Sequence, residues 1–490
     1  MKFSAQLLIT TLSKSTTHIS IFILSIILSR YFTKDDYGTY LHVQMIANIS
    51  IWAFLLGIPH GIYYFLPRAE SQRNYVLTTL AMIGSIAVIV SSVVFYNSAS
   101  LSDLLTNPRI NDLSCILLCL VLVQIPLTVF EPLMLTARRV KEFAGIELFF
   151  NVSFFAAVAI PVFLDHAMVE ILWWLVGVYS IHSVIVLYYT LLIAYSYKSP
   201  QKEGDKFALK DQIKYTLPIG LSMNVMEMSR YVDKIVVSNQ SSPEEYALYA
   251  RGAMEIPVIG IIANTLDNLL MPSFVQAYKD KKIDEIILIW HASIRLMAAF
   301  IYPCCLFLIC SAPLLIPAIF SEKYIGSVII FQIYTLGLIS RISTFDIIMR
   351  AIGRTKDIFW ITLLAVFTNL VLTLVLMKLW GLIGAPIATV LTMLVMRLCY
   401  LKAITSLFNI KINDVFPWNS IFKSLVISCI SSIPVLLLYQ FSFNVWVQLL
   451  VMGVSFSLCY LLLLNVITSL TNQDKDSIRE FLPRRIKWIL

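Results

Sequence analysis

Fourteen long apolar stretches follow one another along the chain, at about 9–31, 40–66, 75–97, 113–136, 146–164, 168–194, 215–238, 246–276, 287–317, 324–349, 358–379, 382–407, 419–440 and 444–468. Short polar segments separate them. About twenty apolar residues in a helix cross a hydrocarbon core of about 30 Å. The pattern therefore predicts an all-α polytopic membrane protein with about 14 transmembrane helices.

A repeat lies inside this pattern. Asp35-Asp36-Tyr37-Gly38-Thr39-Tyr40 follows the first span, and Glu244-Glu245-Tyr246-Ala247-Leu248-Tyr249 follows the seventh. Arg139-Val140-Lys141-Glu142 follows the fourth, and Arg354-Thr355-Lys356-Asp357 follows the tenth. Each pair is six spans apart. Six is even, so both halves enter the bilayer in the same orientation. Parallel repeats of this kind build transporters. The expected organisation is two pseudo-symmetric six-helix bundles, 1–197 and 215–410. A cytoplasmic linker at 198–214 joins them, and 411–490 adds an extra helix pair with a basic tail.

Charge fixes the orientation. Of the lysines and arginines in connecting segments, 26 fall on one side of the alternation and five (Arg30, Lys34, Arg109, Lys323 and Lys378) on the other. The positive-inside rule then places both termini in the cytoplasm. The net charge of +8 mostly reports this bias and is no sign of nucleic acid. Only 13% of the residues are charged, about half the share of a soluble domain. All eight cysteines lie in apolar segments, and none has metal-ligand spacing in a loop. Cys115 and Cys119 read as small packing residues on one helix face. The sequence offers no metal site, no cofactor motif and no catalytic cluster. His166 beside Asp165 is an isolated pair in a short loop.

Charges at membrane depth are costly and normally face a cavity or a partner. Arg230, Lys234, Arg251, Arg295, Arg341 and Arg397 all lie in spans of the second half. On a continuous seventh helix, Glu227, Arg230, Asp233 and Lys234 fall within about 120° of arc. The candidate anion-binding residues are Arg230, Lys234, Arg251 and Arg341. Arg30, at the outer end of the first span, joins them from the first half. Arginine suits phosphate because its planar fork donates parallel hydrogen bonds. Local pairing is the competing use: Glu227–Arg230, Arg230–Asp233 and Arg251–Glu255 can all bridge within one helix. Asp233, Glu255, Asp267 and Glu131 are candidates for carrying a coupling ion. Prolines in spans 4, 7 and 8 mark possible kinks.

Several segments together resemble a known family. Ser29-Arg30-Tyr31-Phe32-Thr33-Lys34 with the 35–40 signature is similar to the end of the first helix in polysaccharide exporters of the MATE-like MOP superfamily. Asp233-Lys234-Ile235-Val236-Val237-Ser238, Ala351-Ile352-Gly353-Arg354-Thr355-Lys356 and Gly381-Leu382-Ile383-Gly384-Ala385 extend the likeness over roughly 5–410. Within that superfamily the chain looks most like the O-antigen flippase (Wzx) group. Lipid II flippases keep an arginine cluster on the first two helices, where this chain has only Arg30. The resemblance implies a multi-pass protein of the bacterial inner membrane. It implies a flippase carrying undecaprenyl-pyrophosphate-linked oligosaccharide units from the cytoplasmic to the periplasmic leaflet by alternating access. A proton or Na⁺ as coupling ion and a polysaccharide polymerase complex are the further partners it implies. A MATE-type drug or cation antiporter is the first alternative and predicts an acidic cavity. A membrane enzyme of polysaccharide assembly is the second, and the short outer loops disfavour it.

The topology is testable by cysteine-accessibility labelling. Single cysteines placed at 103–109 and 320–323 are expected to react from outside in intact cells; labelling only after permeabilisation would refute the alternation.

Overall fold

The computed structural model describes residues 3–197, 209–254, 256–343, 345–441 and 443–466, and among them every regular element is helical. Most of the expected linker (198–208), Glu255 and the chain beyond 466 lie outside the described residues. The chain divides into two compact units, Met1–Ala247 and Leu248–Leu490.

The first unit begins with α1 (Phe3–Tyr31), α2 (Lys34–Leu55), α3 (Ile58–Phe65) and α4 (Gln72–Tyr96). Two short helices, α5 (Ser98–Leu104) and α6 (Arg109–Asp112), lead into α7 (Ser114–Gln124). A 3₁₀ turn at Ile125–Val129 joins α7 to α8 (Phe130–Thr136). Then come α9 (Val140–Phe163), α10 (Met168–Ser196), α11 (Leu209–Met228) and α12 (Val232–Gln240). The fold explains the repeated signatures as helix starts. The Thr33 hydroxyl accepts the Asp36 N–H at 3.1 Å, capping α2. The Ser242 hydroxyl accepts the Glu245 N–H at 3.3 Å, and the Glu245 carboxylate accepts the Ser242 N–H at 3.1 Å. That is a capping box, and it opens α13 (Pro243–Gly252). The second pair behaves alike. Arg139 and Arg354 precede the first turns of α9 and of α18 (Thr355–Trp380), where they meet Glu142 at 3.3 Å and Asp357 at 3.6 Å.

The N-terminal part of α2 is tied down by buried polar groups. Asn107 Nδ2 donates to the Thr39 hydroxyl and to His42 Nδ1, each at 3.0 Å. That leaves the proton on His42 Nε2, which donates to the Ser238 hydroxyl at 3.0 Å. Arg109 bridges Asp35 and Asp36 at 2.8 and 2.7 Å. Burial alone would lower its pKa; hydrogen bonds and charge from Asp36 and Asp35 outweigh burial and hold it above the ordinary arginine value.

Between α2 and α3 the chain bends by 44° through Leu56 and Gly57, both left-handed (φ 46° and 73°). Gly220 of α11 lies against that bend. A Cβ on Gly220 would stand 2.0 Å from the Leu56 carbonyl carbon. The seventh expected span therefore packs on α2 and α3 inside the first unit.

The second unit takes up the latter half of α13 and continues with α14 (Pro257–Lys279), α15 (Ile283–Phe320), α16 (Ser327–Leu338) and α17 (Phe345–Ala351). After α18 follow α19 (Gly384–Phe408), the short α20 (Ile412–Val415), α21 (Trp418–Leu437) and α22 (Val445–Val466). At 38 residues, α15 is about 57 Å long, well beyond one bilayer crossing. It forms the spine of this unit: α21 and α22 both pack along it. Trp290, Phe345, Tyr400 and Ile404 are among the buried residues of its core.

Among the described residues, eight helical runs are long and apolar enough to cross a membrane, ten if the bent pairs Lys34–Phe65 and Ser327–Ala351 each count as one span. One of these runs, Thr355–Phe408, holds two mutually packed helices, α18 and α19. The expected count of fourteen is not established by length and apolarity, because the segments at 209–240 and 243–279 are interrupted and carry charge.

Gly220→Ala is expected to destabilise the protein by about 1–3 kcal/mol, since the backbone opposite cannot move aside cheaply. Gly84→Ala, where nothing lies within 4 Å, should be neutral or stabilising. Thermal unfolding of both purified variants checks the contrast.

Candidate substrate-binding site

The expected site residues fall in both units. Arg30, Glu131, Arg230, Asp233 and Lys234 belong to the first; Arg251, Asp267 and Arg341 belong to the second. The continuous seventh helix expected from the sequence is broken. α11 ends at Met228, residues 229–231 form a turn, and α12 starts at Val232. The break separates the charges that a regular helix would align. Asp233 is buried, 6% exposed, and its carboxylate accepts the Lys234 N–H at 2.9 Å. The Arg230 side chain is 71% exposed and meets Glu227 at 3.7 Å. Lys234 Nζ donates to the Arg230 carbonyl at 2.8 Å and sits 5.3 Å from the centre of the Tyr231 ring. Arg30 is an exposed residue at the end of α1.

In the second unit, Arg251 is buried with its guanidinium 5.3 Å from the Phe320 ring centre. Arg341 lies in a 3₁₀ turn, Ile339–Ile342. It shares one electrostatic cluster with Asp267, Asp346, Arg350 and Arg397. Asp346 pairs with Arg350, and Arg397 donates to the Ser343 carbonyl at 3.1 Å. Asp267 Oδ1 is buried without a hydrogen-bond partner.

A second feature was not legible in the sequence. The first unit encloses a cavity of about 540 Å³ at the bend between α2 and α3. It is bounded by α1, α2, α3, the 3₁₀ turn and α8, α9, α10 and α11. Glu131 and Glu147 line it, with His60 and His182; among the described residues no lysine or arginine does. The Asn151 side chain accepts the Thr17 hydroxyl at 3.0 Å, while its Nδ2 is buried with no partner. Asn224 fixes the α11 wall by donating to the Ala53 carbonyl at 3.1 Å. His182 stacks on Phe150 with ring centres 3.9 Å apart and bonds the Ser153 hydroxyl at 2.7 Å. Of the residues singled out from the sequence, the cavity holds Glu131. Glu147, Asn151 and Tyr179 each look like an isolated polar residue of an apolar helix.

The family model described as a polysaccharide biosynthesis protein matches residues 27–329. No curated protein sequence matches the chain. Among solved structures, the lipid II flippase MurJ in an inward closed conformation matches with a TM-score of 0.73 at 15% identity, over 93% of this chain and 98% of that one. An inward-facing multidrug resistance MATE family transporter of the MOP superfamily matches with a TM-score of 0.63 at 14% identity, over 80% and 95%. A MOP superfamily transporter from Pyrococcus furiosus matches with a TM-score of 0.52 at 12% identity, over 82% and 95%. At such identities the likeness speaks for the fold, which is that of MOP-superfamily transporters.

Burial separates the two charges at the α11–α12 break. Asp233→Ala is expected to destabilise the folded protein by about 1–3 kcal/mol by emptying a buried polar position. Arg230→Ala, on an exposed side chain with one weak ion pair, should stay within about 0.5 kcal/mol. Thermal unfolding in detergent reads both.

Proposed function

The chain belongs to the polysaccharide biosynthesis protein family, and on that premise we propose that it is a flippase. Its cargo is an undecaprenyl-pyrophosphate-linked oligosaccharide unit, O-antigen or a similar surface polysaccharide. It carries the cargo from the cytoplasmic to the periplasmic leaflet of the bacterial inner membrane by alternating access, as a transporter and not an enzyme. Both termini face the cytoplasm. The lobes of the movement are 1–197 and 215–410, joined by 198–214, with 411–490 as the added pair and tail. A polysaccharide polymerase complex takes the delivered unit.

The observation that carries this reading is where the deep basic residues stand. Arg230 lies in the turn between α11 and α12, Arg251 at the end of α13, and Arg341 in a 3₁₀ turn. Helix breaks at membrane depth are tolerated only against protein or a water-filled space. Cations placed at them suit an anion such as pyrophosphate, so Arg230, Lys234, Arg251 and Arg341 are its proposed ligands, with Arg30 at the exit. Asp233, Glu255, Asp267 and Glu131 are the proposed carriers of a coupling H⁺ or Na⁺.

One observation favours a second reading, antiport of an organic cation. The cavity of the first unit has two glutamates and, among the described residues, no lysine or arginine on its wall.

Deletion of the gene is expected to trap lipid-linked units in the inner leaflet and abolish long surface polymer. Arg230→Ala should lower export at normal protein levels, with affinity for the lipid pyrophosphate reduced roughly ten- to a hundredfold. Arg230→Lys should restore only part, because the fork is lost. Normal polymer in a clean deletion strain would refute the flippase reading.

A further inference from the structure

None of the residues proposed to hold the cargo or a coupling ion lines the groove at the end of α19 in the second unit. Asn409 takes a left-handed conformation (φ 52°) and stops α19 there. The chain folds back, and α20 lies against α19. The returning segment is held in place. Val415 is buried, the Phe416 ring stands 5.9 Å from that of Phe345, and His291 Nε2 bonds the Asp414 carbonyl at 2.9 Å. Between α19 and this segment lies an open groove of about 550 Å³. Lys402 and Ser406 line it from α19; Lys411, Ile412 and Asn413 line it from the returning segment. Both lysines are exposed. Among the described residues neither lysine has an ion pair or a hydrogen bond, and the side chains of Ser406 and Asn413 have no partner either. Basic residues at other helix starts are paired: Lys282 with Glu285 at 3.2 Å, Arg354 with Asp357 at 3.6 Å. Among the described residues no carboxylate lines this groove.

Charge and surroundings together select an occupant. Two unpaired ammonium groups, with a hydroxyl and an amide beside them, suit a phosphate. Leu391, Leu394 and Leu398 are exposed and share a face of α19 with Lys402, within about 80° of arc. They form an apolar stripe that reaches Lys402 after about 16 Å of helix. Trp418, exposed at the start of α21, marks the level of lipid head groups. A free phosphate would use the lysines and leave the stripe unmatched. A phospholipid uses both. The chain's own segment 467–490 suits the groove poorly, because five basic side chains outnumber three acidic ones in it. We propose that the groove between Lys402 and Lys411 binds the phosphate of an anionic phospholipid from the surrounding leaflet, with its acyl chains along Leu391, Leu394 and Leu398. The site is independent of the flippase reading and needs only that α19 span the bilayer. A lipid bound there joins α19 to α20 and stabilises the folded chain by mass action.

The test measures lipid bound to the full purified chain by native mass spectrometry. The probes are phosphatidylglycerol, phosphatidylcholine and inorganic phosphate. Phosphatidylglycerol is expected to bind roughly ten- to thirtyfold tighter than phosphatidylcholine. Inorganic phosphate at the same concentration should not displace it. Lys402→Gln and Lys411→Gln should each weaken phosphatidylglycerol roughly fivefold, and both together roughly thirtyfold, with phosphatidylcholine unchanged. Both side chains are exposed, so these variants keep the fold. Lys282→Gln, at a lysine already paired with Glu285, should leave lipid binding as it is. Equal binding of the two phospholipids would overturn the proposal. So would full phosphatidylglycerol binding in the double variant. Displacement by inorganic phosphate would make the groove a free-anion site instead. Displacement by equimolar undecaprenyl pyrophosphate would assign it to the cargo. Binding that emerges only after removal of 467–490 would show that this segment, not a lipid, covers the groove in the full chain.

Discussion

Hydrocarbon offers no hydrogen bonds, and everything else in this structure follows from that. A chain that crosses a bilayer must satisfy its backbone inside its own helices. Interruptions are then confined to places where protein or a wet space takes over the freed groups. The interruptions among the described residues include Leu56–Gly57, Ile125–Val129, residues 229–231 and the 3₁₀ turn at Ile339–Ile342. Each stands beside polar chemistry. The first two border the cavity that holds Glu131, Glu147 and Asn151. The third carries Arg230 and the fourth Arg341. Breaks and candidate residues thus coincide.

The repeated signatures follow from the same constraint. A helix that begins just after a short outer turn has unsatisfied N–H groups at its start. Thr33 with Asp36, and Ser242 with Glu245, supply the oxygen acceptors there, and Asp35 and Glu244 add negative charge where the helix dipole favours it. Two halves facing one problem settled on one local chemistry. The tyrosines that follow, Tyr37 and Tyr246, are both buried and anchor the two starts.

This explains what the sequence could and could not tell. Apolar length and caps are local properties, so the helical segments and the kinship of the halves were legible. The break at 229–231 was not, since no glycine or proline lies between Met228 and Val232 and a regular helix was the natural expectation. Its effect is large: Asp233 is buried while Arg230 is exposed, though a continuous helix would place them on one stripe. The cavity was illegible for another reason. Thr17, Asn151 and Tyr179 sit on three different helices, and only packing brings them together.

A carrier must release what it binds, and the charge pairing bears on that. Binding has to be favourable enough to enter and weak enough to leave. Fully unpaired arginines in a dry site would hold a pyrophosphate strongly. Here the basic residues come with carboxylates nearby: Glu227 lies 3.7 Å from Arg230, and Asp267 and Asp346 lie in the cluster that contains Arg341, Arg350 and Arg397. For an anion held at these arginines, as proposed, the carboxylates would compete for each guanidinium and lower the affinity. With no anion bound, the carboxylates remain as partners of the arginines, as Glu227 does for Arg230. Acidic residues among the arginines are therefore consistent with anion transport: they moderate the grip, and they supply titratable or cation-binding groups through which an ion gradient can act on it.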